Sequence, residues 1–360
     1  ADQSGDSTAL IYNYNKITYG TLHELVLNAS CGLSKLGIKS GDRVAFWLPN
    51  TPAYIVLYLA CMQLNAIAVA VNTRFKGSEV ADIVSRSSAK SIIFWPLFKK
   101  ANFLGVLNSV ADAAFNKIES VIIYDEEEND LKSNSLLPNS FYSKKVTTYL
   151  ELIDHSGAEI DHSQPDAGCN IFTTSGTTKA PKFVLHSHRS ISIHASEVWR
   201  NLEPLIKSNA FFHTLPFCGV FGFNHFSAAL SGARPNVIQS AFNAREAIDL
   251  IDRHKVHYIS ATDDMLLAFL EADDRNPALP SLTCCGYGAF NLPPEEITLR
   301  ASARGIKLVG LYGMSEVQAL FARQEHTQED KYRYLPGGKL ISPNARVRAR
   351  NPESKEILPH

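Results

Sequence analysis

No window of the 360 residues holds eighteen consecutive apolar side chains, which excludes a helix built to cross a bilayer. Neither sign of charge is in excess: 35 Lys and Arg against 36 Asp and Glu leave a formal net charge of −1. There is therefore no electrostatic footprint for a nucleic acid or an anionic membrane surface. The opening residues, Ala1 to Ser7, are polar and lack the pattern of a signal peptide. They also lack an initiating Met, so the chain reads as part of a longer protein, with an upstream signal left open. The six cysteines, at 31, 61, 169, 218, 284 and 285, show no Cys-x2-Cys spacing and sit mostly among apolar neighbours. They read as reduced, buried thiols of a cytoplasmic protein rather than metal ligands or disulfides. A Walker loop, Gly-x4-Gly-Lys-Ser/Thr, is absent. Internal repeats are absent too, and the one polar, aperiodic tract, 125–143, reads as a solvated loop. What remains is 45% hydrophobic and 20% charged, the composition of a soluble globular protein of two or three subdomains.

Strand-like and helix-like segments alternate. Thr21 is expected to cap a helix over His23–Leu36 that Gly37 stops. Strands are expected at Arg43–Leu48, Ala66–Val71, Ser91–Trp95 and Ser120–Tyr124. Between them fall helices at Pro52–Leu64, Glu79–Ser87 and Phe98–Phe115. Repeated β-α-β units imply a parallel sheet covered on both faces. A second β/α region holds helices at Ser190–Leu205 and Ala244–His254 and strands at Val256–Ser260 and Ile306–Leu311. Thr262 reads as an N-cap, with Asp263 and Asp264 in the first turn ahead of Met265–Leu270. From Tyr332 onward, Pro336-Gly-Gly338 and the alternation Ala345-Arg-Val-Arg-Ala-Arg350 predict a small antiparallel β region. The expected fold is α/β, with stacked βαβ subdomains at 1–165 and 166–331 and the start of a small β subdomain at 332–360.

One string stands out. Ile171-Phe172 reads as a strand end, and Thr173, Thr174, Ser175, Gly176, Thr177 and Thr178 follow in an unbroken run, with lysines at 179 and 182. Hydroxyls and turn amides donate to anionic oxygens and a lysine adds a point charge, so a strand ending in such a loop reads as a phosphate cradle.

The string Thr-Ser-Gly-Thr-Thr-x-x-Pro-Lys resembles the signature of the adenylate-forming enzymes, the superfamily of acyl-CoA synthetases, luciferases and peptide-synthetase adenylation domains. Leu311-Tyr-Gly-Met-Ser-Glu316 is similar to the superfamily's Tyr-Gly-x-Thr/Ser-Glu motif. Gly286-Tyr-Gly-Ala-Phe290 occupies the place of its glycine-rich adenine strand, and Leu215-Pro-Phe-Cys-Gly-Val-Phe-Gly222 is similar to a further segment. Gly41–Asn50 and Asn72–Val80 look like segments of the CoA-ligase branch. The resemblance spans essentially the whole chain. It implies ATP-dependent activation of a carboxylic acid to an acyl-adenylate, then thioester formation with CoA. In that reading Thr173 to Thr178 and Lys182 hold the β- and γ-phosphates, Ser315 donates to the α-phosphate and Glu316 ligates Mg²⁺. Lys182, Ser315 and Glu316 carry the catalysis. Tyr312, followed by Gly313, stacks on adenine against Gly288, Ala289 and Phe290. Gly219, Val220, Phe221, Phe223, Gly286, Tyr287 and Met314 match positions that line the acyl pocket, whose apolar lining suits a fatty, cyclic or aryl acid.

The chain departs from the pattern at Lys179 and Phe183, each in place of a small residue, and at Cys218 and Gly219, in place of Phe and His. The absence of that His widens the pocket. The segment also lacks the Asp that holds an amino group in amino-acid-activating relatives. The ribose-binding motif, the hinge and the C-terminal lid domain with its lysine do not follow, so the chain is expected to be the large N-terminal part of an enzyme and poorly active alone. Expected partners are the acid, ATP and CoA, with a homodimer left open. Two alternatives stand beside this reading: an enzyme that loads a carrier protein, and a non-catalytic ligand-binding homologue.

Overall fold

The computed structural model describes residues 4–98, 102–126, 141, 143–157, 161–174, 181–206, 210–213 and 215–358. The chain opens with strands β1 (Thr8–Tyr12) and β2 (Asn15–Thr18), then helix α1 (Tyr19–Lys35). The cap of α1 is Thr18, not Thr21. Thr18 is extended, and its hydroxyl oxygen accepts the Thr21 N–H at 3.1 Å, so Thr21 lies inside the first turn. Next come β3 (Arg43–Trp47), α2 (Pro52–Gln63), β4 (Ile67–Ala70), α3 (Gly77–Ser87) and β5 (Ser91–Phe94). Helix α2 is apolar on every side and buried along most of its length, as a helix enclosed by other elements must be.

The expected long helix over 98–115 is broken into α4 (Phe103–Asn108) and a separate 3-10 turn (Asp112–Phe115). The Asn102 side chain caps the Gly105 N–H at 2.8 Å, and extended Ala111 interrupts the helical run. Strands β6 (Ser120–Ile123) and β7 (Lys145–Thr148) lead to α5 (Tyr149–Ile153). Of the acidic tract between them, residues 127–140 and 142 lie outside the described residues. Of its described ends, Glu126 is exposed, as expected of a solvated loop, and accepts hydrogen bonds from the Tyr12 and Tyr124 hydroxyls, whereas Phe141 is fully buried.

Then follow β8 (Gly168–Thr174), β9 (Lys182–Ser187), α6 (His188–Ile206), β10 (Phe211–His213), α7 (Val220–Ser231), β11 (Asn236–Ile238) and α8 (Ala244–Arg253). Last are β12 (Tyr258–Thr262), α9 (Asp263–Ala272), β13 (Cys284–Gly288), α10 (Pro294–Ala303), β14 (Leu308–Tyr312), β15 (Ala322–Arg323), α11 (Asp330–Arg333) and β16 (Lys339–Leu340). Strands β12 and β14 each begin two residues later than expected, for one reason. Lys255 and Gly305 take positive φ, and the next amides, of Val256 and Ile306, bond back to Ile251 and Ala301 to close the preceding helices.

Seven strands in the order β7-β6-β5-β3-β4-β8-β9 form the largest sheet, parallel except where β9 returns along β8. Five form β12-β13-β14-β15-β16, parallel over the first three and antiparallel at β15 and β16. Four form β10-β11-β1-β2. The boundary expected between 165 and 166 does not coincide with a sheet boundary, because β8 pairs with β4. The alternating segment Ala345–Arg350 contributes a single bridge, Arg350 to Ile357; alternation marks two faces but cannot substitute for a bonded neighbour. Among the described residues no helix is long and apolar enough to cross a membrane.

The segment that leads into α7 is fixed by a buried amide. Asn50 donates from Nδ2 to the Leu215 carbonyl at 2.9 Å and accepts the Phe217 N–H on Oδ1 at 2.7 Å. Asn50→Ala orphans both groups, so a loss of about 3 kcal/mol is expected in urea unfolding, with the slope unchanged.

Candidate functional site

The parallel strands β12, β13 and β14 end together, with Thr262 opposite Gly288 and Tyr287 opposite Gly310. Large apolar side chains at these ends are exposed: Phe290 by 68%, Tyr312 by 45% and Met314 by 44%. Surface this apolar at the carboxyl ends of strands is where an open α/β sheet takes ligands. Beyond Tyr312 the chain makes a tight loop. The Met314 carbonyl accepts the amides of Val317 (3.2 Å) and Ala319 (2.9 Å), and Gln318 and Ala319 take φ of 56° and 69°. Gly313 is required here, because a Cβ would overlap the Ala319 carbonyl oxygen. The loop sets Ser315 and Glu316 at the strand end. Glu316 is exposed and makes no ion pair among the described residues.

The turn carrying Phe290 hangs on Asp263, a residue whose reach the sequence did not reveal. Thr262 caps α9 as expected, its hydroxyl oxygen 3.5 Å from the Met265 nitrogen. Fully buried Asp263 does more: its Oδ2 accepts the backbone N–H groups of Phe290 (3.0 Å), Asn291 (2.6 Å) and Leu292 (2.7 Å). Burial works to raise its pKa, but these amides and that of Asp264 outweigh it and hold the carboxyl below its usual range. Gly288 completes the turn, since a Cβ there would lie 2.8 Å from the Phe290 ring. Ala289 beside it is exposed. Asp263→Asn keeps the shape but removes the charge and one acceptor oxygen, so a loss of about 2 kcal/mol is expected, read by thermal unfolding.

The signature begins in β8. The Thr173 hydroxyl donates to the Ala70 carbonyl at 3.3 Å, so its proton is committed within the protein. Thr174 stands opposite exposed Lys182 at the start of β9. Ser175, Gly176, Thr177, Thr178 and Lys179 lie outside the described residues. Phe183 sits under the Arg86 guanidinium, 4.2 Å from its ring centre, and Arg86 is held by Asp82 and by the Pro181 carbonyl. Further along β9, His186 reaches the second motif: its Nε2 donates to the Ser315 carbonyl at 2.8 Å. On α6, His194 Nε2 donates to the Leu320 carbonyl at 2.9 Å. No reading of the motifs singled out either histidine.

Of the expected acyl-pocket residues, Val220 and Phe221 form the half-buried first turn of α7. Gly219 is its N-cap, and a Cβ there would find its nearest neighbour, the Pro216 carbonyl oxygen, at 3.6 Å, so the position is open. Two residues that the resemblance set in the pocket lining are buried among other side chains. Phe223 is buried and packs against Tyr58, Phe172 and Phe226 at ring distances of 5.1, 5.0 and 4.7 Å. Tyr287 points to the opposite face of β13 from Gly286 and Gly288 and donates to the Tyr334 carbonyl at 2.8 Å.

A buried polar chain joins the remaining parts. His225 Nδ1 lies 3.0 Å from the Phe221 carbonyl, which can only accept, so Nδ1 carries the proton. Neutral Nε2 then accepts from the Ser260 hydroxyl at 2.9 Å, and the Tyr258 hydroxyl donates to Ser260 at 3.1 Å. A Cβ on Gly286 would strike the Tyr258 hydroxyl. The chain thus ties α7 to β12, with Gly286 of β13 packed close against it. Burial pushes His225 down to about 4, and His213, bonded to Asn236, down to about 3. Both folded values lie below the ordinary one near 6.5, so the unfolded chain binds the extra protons. Stability is therefore full above about pH 6.5 and falls as the pH drops through the window below it. Each of the two histidines is expected to cost roughly 1 kcal/mol between about pH 7.5 and about pH 5.5, measured by urea unfolding at both.

The family model described as "AMP-binding enzyme" matches residues 1–360. A Mycobacterium tuberculosis relative, 3-[(3aS,4S,7aS)-7a-methyl-1,5-dioxo-octahydro-1H-inden-4-yl]propanoyl:CoA ligase, is 26% identical over 321 residues. The match covers 88% of this chain and 61% of the relative, so the chain spans about three fifths of that protein's length. Among solved structures, the anthranilate CoA ligase AuaEII in complex with anthranoyl-AMP superposes with a TM-score of 0.83 at 19% identity, covering 99% of this chain and 65% of that one. The o-succinylbenzoate CoA synthetase of Bacillus subtilis, in complex with ATP and a magnesium ion, gives 0.76 at 19% identity, covering 98% and 65%. At this identity the structures speak for the shared fold.

Proposed function

The chain belongs to the AMP-binding enzyme family, and on that premise we propose that it forms the nucleotide- and acid-binding part of an AMP-forming acid–thiol ligase. The reaction is activation of a carboxylic acid by ATP to an acyl-adenylate, with release of pyrophosphate, then thioester formation with CoA. The observation that carries this reading is the bond between strands of different sheets, where His186 of β9, the strand that starts at Lys182, bonds to the Ser315–Glu316 loop beyond β14.

A carboxylate is a poor acyl donor because its oxygen is a poor leaving group, and adenylation supplies a good one. The protein must hold a polyphosphate, offset its charge and bring a second anion within reach. Lys182 provides the fixed cation for the β- and γ-phosphates, and Ser315 provides a hydroxyl for the α-phosphate. Exposed Tyr312 and Phe290 offer the faces for adenine. Glu316 fits Mg²⁺: it is a hard oxygen donor, exposed and unpaired among the described residues. When bound, the ion supplies further charge neutralisation. The first turn of α7, open at Gly219 and fixed by His225, offers room for the acid, and its apolar lining supports a fatty, cyclic or aryl one. Phe183, which departs from the family pattern, is accounted for by its stacking under Arg86 and does not speak for a non-catalytic binder. All six cysteines are free, which supports a reducing compartment, the cytoplasm being the expected one.

The test is acid-dependent ATP–pyrophosphate exchange by the chain extended to its natural C-terminus, with medium-chain, aryl and cyclic acids, beside calorimetric binding of MgATP. Exchange with one class of acid is expected, and Lys182→Ala and Glu316→Gln should each lower it about 100-fold. Absence of exchange with every acid, together with MgATP binding that neither substitution weakens, would sink the proposal.

A further inference from the structure

Two histidines outside every matched motif hold the two ends of the Ser315–Glu316 loop. His186, on β9, donates from Nε2 to the carbonyl of Ser315 at 2.8 Å, and His194, on α6, donates from Nε2 to that of Leu320 at 2.9 Å. A carbonyl oxygen only accepts, so both rings carry their proton on Nε2. Burial pushes both below the ordinary histidine value, which keeps them neutral; the Ser315 bond and the charge of Glu316 pull His186 the other way without prevailing. His194 Nδ1 is buried with no partner among the described residues, consistent with a bare lone pair on that atom rather than a stranded N–H. His186 is held edge-on against Phe172, with ring centres 5.8 Å apart and only 6% of the residue exposed, so the ring has no room to swing away.

The two accepting carbonyls bracket the left-handed pair Gln318 and Ala319, where the loop reverses. Both donors come from the continuous β9–α6 segment, whose first residue is Lys182. We propose that His186 and His194 are positioning residues: a double imidazole clamp that fixes Ser315 and Glu316 relative to the Lys182 strand, although the two groups stand on different sheets. The clamp sets the spacing between the cation that meets the outer phosphates and the hydroxyl and carboxylate that meet the α-phosphate and the metal. This role rests on the ligase reading proposed above.

The test compares His186→Phe and His194→Phe, which remove the donor, with His186→Gln and His194→Gln, whose side-chain amide restores an N–H near the position of Nε2. Two readouts are taken on the 360-residue chain. One is hydrogen exchange of the amides of residues 313–320, which needs no ligand. The other is affinity for MgATP beside affinity for adenosine, which lacks the phosphates. The phenylalanine variants are expected to exchange this segment about tenfold faster and to bind MgATP about tenfold more weakly, with adenosine affinity within about twofold of wild type. The glutamine variants should return to within about threefold of wild type in both. Equal behaviour of the phenylalanine and glutamine variants, or unchanged exchange of the segment in both phenylalanine variants, overturns the clamp. His194 is only partly buried, so its variants carry the test if His186→Phe does not fold. A wild-type chain that fails to bind MgATP overturns the ligase reading, and the exchange comparison still decides the clamp.

Discussion

A clasp of two hydrogen bonds, from His186 Nε2 to the Ser315 carbonyl and from His194 Nε2 to the Leu320 carbonyl, ties the β9–α6 segment to the Ser315–Glu316 loop. The constraint behind it is topological. A parallel sheet presents all its carboxyl ends in one direction, and β8 belongs to the seven-stranded sheet while β14 belongs to the five-stranded one. The groups proposed to act together on one ligand therefore stand on different sheets. Contact between side chains at the seam would leave their separation loose. A buried bond between an imidazole and a main-chain carbonyl fixes it, because leaving either group unpaired away from water costs about 1–3 kcal/mol.

The same logic recurs wherever a functional loop leaves the sheets. Asp263 gathers three consecutive amides of the turn that presents Phe290, and Asn50 holds the main chain at Leu215 and Phe217 in the segment entering α7. His225 and Ser260 fasten the first turn of that helix to β12. In each case a buried polar side chain from a regular element satisfies the backbone of an irregular one. Loops cannot be shaped by hydrophobic burial alone, since their amides and carbonyls need partners when water is excluded. The apolar cores make the layers, and these polar anchors decide where the loops between the layers sit.

This division explains what the sequence disclosed. Strands and helices of the first half were legible because their signals are local: apolar runs such as Ile67–Ala70, and capped helices such as Pro52–Gln63. The errors were also local, and they were physical. Thr18 outcompeted Thr21 as a cap because only the extended residue can turn its oxygen toward the first amides. Val256 and Ile306 look like strand residues but are used to close helices. The motif residues Lys182, Ser315, Glu316 and Tyr312 were singled out by the order of the motifs along the chain. Their anchors were not, because Asp263 and Phe290, or His186 and Ser315, are remote in sequence and nothing local pairs them. The face of Tyr287 was legible by the alternation of strand residues, which sets it opposite Gly286 and Gly288.

The departures from the family pattern sort by the same geometry. Phe183 faces α3, where the Arg86 guanidinium covers it and Asp82 holds that guanidinium in place, so its bulk is absorbed away from the strand end that carries Lys182. Gly219 is different. It caps α7 in an extended conformation that any residue can adopt, with open space where a side chain would project, so neither strain nor crowding demands a glycine there. By contrast, Gly222 three residues on has the Pro216 and Leu215 carbonyls against it and admits nothing larger. A glycine that sterics do not require, at the mouth of the region proposed for the acid, changes the volume offered to a ligand while leaving the scaffold as it was. The two substitutions look alike in the sequence, yet one is a packing solution and the other alters the shape of the site.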